Sequence, residues 1–342
     1  MSNQGIRDGI GGYMSLECGQ GTPLAWMEGA LSFQSARDAM AAYFEAIAPR
    51  RIWMPHFICE SAVEAVLGIA PMERYPLNES FAPESDLDVT PDDVIVIVDY
   101  FGLCGSAVTQ AAAAYSHAHV LIDASQSLFF PPIPGISLVT SPRKFVGVPD
   151  GGFLLTETTV TPPLKADELA SIMRCQPLLL RAAGLREEGY ARFRETERTL
   201  EITQPHAMSQ LTHGLLAGID FNAVAHQRRS NFDFLAEQLG HLVPAGLMPN
   251  RSSVPLCFPV HARNPAGTRE SLRSQGVFSP HYWPGVAIPP RDASGEMLAH
   301  GIVCLPCDQR YDKEDMISIC RAFLAEPSSH DFSNAHREGN PR

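Results

Sequence analysis

HVLIDASQSLFFPPIPGISLVTSPRKFVGVPDGGFLLT, residues 119–156, holds three short apolar runs separated by Gly, Pro and Ser. Runs this short with such bounds read as strands, not helices. Upstream, DDVIVIVDYFG (92–102) is an unbroken Val/Ile stretch, the pattern of a strand covered on both faces. RRIWMP (50–55) and MERYPL (72–77) are shorter strand-like pieces, and 36–48, 60–70 and 106–118 have helical composition. Strands alternating with helices predict an α/β fold with a mostly parallel sheet between helices.

From Leu164 onward the pattern turns helical, through a charged segment at 186–202 whose acids and bases interleave. Interleaved charges mark a solvated helix rather than a nucleic-acid face. Helical segments continue to 239, and a small αβ unit closes the chain, with strand-like runs at 253–262 and 300–308 and helices at 267–276 and 313–324. The reading gives a large domain over 1–204, a smaller C-terminal α+β domain over 205–326, and a polar, flexible tail over 327–342.

Formal net charge is 26 − 38 = −12, so bulk electrostatics disfavour nucleic acid and anionic lipid as partners. No run of eighteen apolar residues exists to span a membrane, and MSNQGIRDGIGGYMSLE (1–17) has no charged-then-apolar leader pattern. Eight scattered cysteines suit reduced thiols and a cytoplasmic setting. VCLPCDQ contains one CxxC, Cys304 and Cys307, without the second pair or His set a zinc site needs, so no metal is expected.

In open parallel sheets, ligands sit at the carboxyl ends of the strands. Asp99 and Tyr100 follow VIVIV, Asp123 ends HVLID, and Ser141 and Lys144 follow GISLVT. LSFQSARDAM places Ser35, Ala36 and Arg37 at a helix start, where free N–H groups attract a phosphate. An amine, an acid and a phosphate cradle on one edge match pyridoxal phosphate. That cofactor needs a lysine for a Schiff base, a carboxylate against its ring nitrogen and donors for its phosphate.

LIDASQSLFF followed by TSPRKFVGVPDGG resembles the Asp–Ala–x–Gln, Ser–x–x–Lys and Gly–Gly pattern of the DegT/StrS family, over roughly residues 10–325. LSFQSARDAM is similar to that family's helix start, IWMPHFICESAVEAV to its ring-covering segment, and VCLPCDQRYDKEDM to its C-terminal strand and helix. These are sugar aminotransferases of fold type I that use pyridoxal 5′-phosphate. The resemblance implies a seven-stranded sheet, a homodimer, and transfer of an amino group from a donor such as glutamate to a keto sugar, nucleotide-linked in this reading. By position, Lys144 would form the Schiff base and Asp123 would pair with the ring nitrogen. Gln126 would bond the ring hydroxyl, Ser141 with the Ser35 and Ala36 amides would hold the phosphate, Arg37 would assist there, and Phe57 or His56 would stack on the ring. Ala36 stands where glycine is common, and GIDFNAVAHQRRSNF (218–232) matches only loosely the segment that donates an asparagine across the dimer. Both mark a divergent branch.

Plainer readings stand beside these. Lys144 alone would be a surface lysine in a turn, and Asp123 a cap for the next segment. Gln126 would be a turn residue, Arg37 the partner of an acid, and Phe57 ordinary core. Asp150 with Gly151–Gly152 reads as a turn, glycine letting the backbone pass close to Lys144. His281, Tyr282 and Trp283 either line a substrate mouth or pack beneath a Pro-rich loop. Two rival functions keep the fold: a pyridoxal-phosphate-dependent sugar dehydratase, and a non-catalytic relative.

Overall fold

The computed structural model describes residues 16–200, 205–250 and 253–325. The leader reading over most of 1–17, the domain boundary at 204 and the tail at 327–342 lie outside the described residues.

Seven strands make the main sheet: β1 (Leu31–Phe33), β2 (Arg51–Pro55), β3 (Met72–Tyr75), β4 (Asp93–Val98), β5 (His119–Ala124), β6 (Ser137–Thr140) and β7 (Gly152–Leu155). Their order is β1-β7-β6-β5-β4-β2-β3. The pairs β3–β2, β2–β4, β4–β5 and β5–β6 are parallel, whereas β7 runs antiparallel to both β6 and β1. Helices α1 (Ala36–Ile47), α2 (Glu60–Glu64) and α3 (Gly105–Ala114) lie between the early strands. Every residue of β4 is buried, as its Val/Ile run requires, because parallel strands are covered on both faces.

Four helices follow: α4 (Glu168–Ala182), α5 (Arg186–Glu197), α6 (Gln210–Ala217) and α7 (Phe221–Leu239). A two-stranded antiparallel sheet, β8 (Phe258–His261) with β9 (Ile302–Leu305), then combines with α8 (Pro265–Ser274), α9 (Ala293–Glu296) and α10 (Lys313–Leu324). Buried apolar side chains of both sheets form one continuous core.

Two segments differ from the sequence expectation. The helix expected over 60–70 stops at Glu64, with Gly68 at φ +80° turning the chain toward β3. The strand expected over 92–102 stops at Val98, because Phe101 (φ +58°) and Gly102 (φ +71°) curl away from the ladder. The Phe101 and Cys104 amides bond Gln126 Oε1 (3.0 Å) and Asp99 Oδ1 (2.8 Å) instead.

The glycine pair serves a contact other than the one its sequence suggested. Gly151 N donates to Gln34 O (2.6 Å). A Cβ on Gly152 would lie 2.2–2.4 Å from the Ser35 carbonyl and the Ala36 amide nitrogen. Glycine here lets β7 press against the first turn of α1. Gly152→Ala is expected to destabilise the fold by about 3 kcal/mol, because backbone, not a flexible side chain, must move. Chemical denaturation checks this, and Gly147→Ala, with open space around its Cβ, provides the neutral control.

Candidate active site

The parallel register lines up the strand ends. Val98 pairs with Asp123, and Asp123 with Val139. The residues after β2, β4, β5 and β6 therefore share one edge: His56–Phe57, Asp99–Tyr100, Ser125–Gln126 and Ser141–Lys144.

Lys144 closes a 3-10 turn, Pro142–Lys144, in the connection from β6 to β7, and is half-buried. The peptide after it is held firmly. Phe145 O accepts from Arg228 Nη2 (3.1 Å) and from Gln309 Nε2 (2.8 Å). Arg228 is buried on α7, where it also donates to Pro255 O and Leu256 O and covers the Phe145 ring at 4.6 Å. Burial pulls its guanidinium below the ordinary arginine value. The loosely matching segment 218–232 thus forms most of α7, and its arginine braces the lysine turn. The Lys144 ammonium lies 5.7 Å from the centre of the Trp283 ring.

Asp123 is buried at the end of β5, with Oδ1 accepting from Ser125 N (2.9 Å). Gln126 is 1% exposed; its Oε1 is engaged by Phe101 N, while Nε2 is buried without a partner. Phe57 is fully buried, its ring 4.8 Å from Trp283 and 5.8 Å from Tyr100, whose hydroxyl donates to Phe57 O (2.6 Å). Burial, with anionic groups including Asp292 and Asp123 nearby, pushes the Tyr100 phenol well above its ordinary value. His56 points elsewhere, donating from Nδ1 to buried Asp292 (2.8 Å). Of the two stacking candidates, only Phe57 has its ring in the aromatic cluster beside Lys144.

At the start of α1, Ser35 Oγ accepts from Asp38 N (3.1 Å) and caps the helix. Its hydroxyl is used internally, and the first-turn amides remain the donors a helix start offers. Arg37 turns aside to Glu64 (3.0 Å), the acid-pairing alternative. Ser141 is buried, and its side chain caps no N–H of the turn it opens.

The sequence reading missed Arg228 and Gln309 as neighbours of this edge, and it placed Tyr100 there without giving it a role. It left the 281–283 segment undecided, and the structure divides it: His281 Nε2 donates to Ala299 O (3.1 Å), Tyr282 packs 5.5 Å from Phe101, and Trp283 enters the edge. Among the described residues, no three His, Cys, Asp or Glu side chains group to hold a metal. Burial pushes the Cys307 thiol up to about 12, which suits packing.

No family model and no curated protein matches the chain. Solved structures do. The sugar aminotransferase CalS13 from Micromonospora echinospora is 15% identical, with a TM-score of 0.55 over 86% of this chain and 87% of that one. A DegT DnrJ EryC1 StrS aminotransferase from Brucella abortus is 18% identical, with a TM-score of 0.56 over 86% and 85%. NtdA from Bacillus subtilis, with bound cofactor PMP, is 16% identical, with a TM-score of 0.60 over 86% and 72%. The chain has the fold of these enzymes, fold type I.

One acid of this edge carries a stability signature. Burial raises Asp99 from 3.8 to about 6, partly offset by bonds from Ser127 and Cys104 N. Because the folded chain binds the proton more tightly, stability is greatest below about pH 4 for this group and falls as pH rises to about 6. Asp99→Asn should remove a loss on the order of 3 kcal/mol across that interval. Denaturation midpoints at pH 4 and 7, compared between the two proteins, measure it.

Proposed function

We propose that the chain is a pyridoxal-phosphate-dependent aminotransferase that moves an amino group from an amino acid such as glutamate to a keto sugar, the sugar being nucleotide-linked. The observation that carries this reading is the buried, partnerless Gln126 Nε2 on the edge that also holds Asp123, Phe57 and Lys144. A buried donor without an acceptor costs stability, and the ring hydroxyl of pyridoxal phosphate would satisfy it. The donor set fits the group: an amine, a carboxylate, an aromatic face and a helix start.

When bound, the cofactor supplies an electron sink for the pair released at the amino-bearing carbon. Asp123 opposes the positive ring nitrogen and keeps its proton there. Lys144 Nζ would take up and hold the proton that leaves the substrate carbon. Phe57 covers the ring and excludes water. The Ser35 and Ala36 amides, with the Ser141 hydroxyl, would hold the phosphate, while the Arg37 guanidinium stays with Glu64. Amino donor and keto acceptor use the site in turn.

The working form in this reading is a cytoplasmic homodimer, each chain divided into 1–204 and 205–326. Among the described residues, eight of the thirteen exposed large apolar side chains fall between Leu164 and Phe193, on and beside the α4–α5 hairpin. Clustering of this kind marks an interaction surface. No described helix is long and apolar enough to cross a membrane, and the acidic net charge of −12 favours a small-molecule partner over nucleic acid.

The protein mixed with pyridoxal phosphate should absorb at the edge of the visible. Lys144→Ala should abolish that band, and Asp123→Asn should slow amino transfer at least about 100-fold. Glutamate should convert the band to that of the amine form, an outcome a dehydratase would not give. A wild-type protein that stays colourless rejects the reading. Leu179→Glu with Tyr190→Glu should yield a monomer by sedimentation; a dimer that survives both moves the interface elsewhere.

A further inference from the structure

The aromatic cluster at the strand edge holds one residue in a costly conformation. Trp283 has φ +50°, a left-handed backbone that bulky side chains avoid. Pro284 follows it directly, which further restricts the preceding residue. Strain of this kind persists where surrounding contacts impose it, and it concentrates at functional sites.

The Trp283 ring centre is 4.8 Å from Phe57 and 6.3 Å from Tyr100, and the Lys144 ammonium lies 5.7 Å away over the indole. Trp283 is thus in contact with both the aromatic face and the amine that the cofactor reading assigns to one small ring. A ring stacked on Phe57 and bonded to Lys144 Nζ would meet the indole, which touches both groups.

We propose that Trp283 is a gate on the cofactor site: its indole fills the slot between Phe57 and Lys144, and it must swing out before the ring can enter. The inference rests on the cofactor reading above and adds a residue to it. The loop is built for such a movement. Before Trp283, Ser279 Oγ donates to Cys304 O (2.7 Å) and His281 bonds Ala299 O, fixing the chain to β9 and the turn preceding it. After it, Gly285 (φ +94°) supplies a pivot, and Asp292 anchors the far end through His56 and Leu77 N. Among the described residues, the backbone of Trp283 makes one hydrogen bond, the long one from Val286 N to Trp283 O (3.3 Å). Departure of the indole relieves the left-handed backbone, which offsets part of the lost ring contact.

A gate lowers apparent affinity by the fraction of open molecules. Trp283→Gly, which accepts a positive φ, should bind pyridoxal phosphate about tenfold more tightly and load it faster. Trp283→Phe, with a smaller ring, should fall between it and wild type. Loading is followed by the visible-edge absorbance, and hydrogen exchange of segment 279–286 should quicken when the cofactor enters. If both variants load at the wild-type rate and affinity, or Trp283→Gly binds more weakly, the gate is wrong while the cofactor reading stands. Unchanged or slower exchange in the segment also rejects the gate. If neither wild type nor variant takes up the cofactor, the cofactor reading fails and the gate fails with it.

Discussion

Strands β2, β4, β5 and β6 run parallel in register, and each stops within a residue or two of a common line. Parallel pairing with both faces buried leaves only the strand ends open to a ligand. Asp123 can therefore lie beside Ser141 and near Tyr100 although these residues come from separate runs of sequence. A slip of one residue in β5 would carry Asp123 to the opposite face of the sheet. Its Val/Ile-rich neighbours resist that slip, because the buried faces fix the register. The Asp123 carboxylate is placed by hydrophobic burial acting at a distance.

The C-terminal half closes this edge through a few polar and aromatic contacts. Arg228 and Gln309 converge on the Phe145 carbonyl, one peptide beyond Lys144. Asp292 takes His56, Tyr282 meets Phe101, and Trp283 meets Phe57. A buried guanidinium is expensive unless its hydrogen bonds are made, and Arg228 Nη1 and Nη2 donate to three carbonyls from two parts of the chain, leaving only Nε without a partner among the described residues. The lysine turn and the segment leading into β8 are consequently held as one unit. Displacing the small sheet would release the lysine turn with it.

Most of this frame was legible in the residues. The Val/Ile run of β4, the three runs around Lys144 and the alternation with helices gave the parallel sheet, because burial and period are local properties of sequence. β1 was not legible: three residues, Leu31–Phe33, carry no pattern. The reversal of β7 was not legible either, since apolar composition does not encode strand direction. Gly151–Gly152 declared a special backbone without saying against what, and the answer, the Ser35–Ala36 peptide, lies more than a hundred residues upstream. Of the site, Lys144, Asp123 and Ser141 could be singled out as strand-end residues, and Gln126 through the family resemblance. The choice of Phe57 over His56 depended on Asp292, and the diversion of Arg37 depended on Glu64, both of them partners that only tertiary contact supplies. Trp283 was indistinguishable in sequence from its neighbours His281 and Tyr282, because its departure from them lies in one backbone angle.

Gln126 and Phe101 show how the costs of this edge are shared. Phe101 adopts φ +58°, unfavourable for an aromatic residue, and in that pose its amide donates to Gln126 Oε1. The bond fixes the amide plane and so fixes where Nε2 lies, yet Nε2 itself has no acceptor. One strained backbone thus holds one unsatisfied donor in place, each costing on the order of 1–3 kcal/mol. Neither feature repays the other within the chain: relaxing Phe101 would lose the bond, and rotating Gln126 would leave the Phe101 amide buried and unpaired. An arrangement in which two penalties support each other lowers its free energy only when an acceptor arrives from outside, and an acceptor on a ring stacked against Phe57 would meet that requirement.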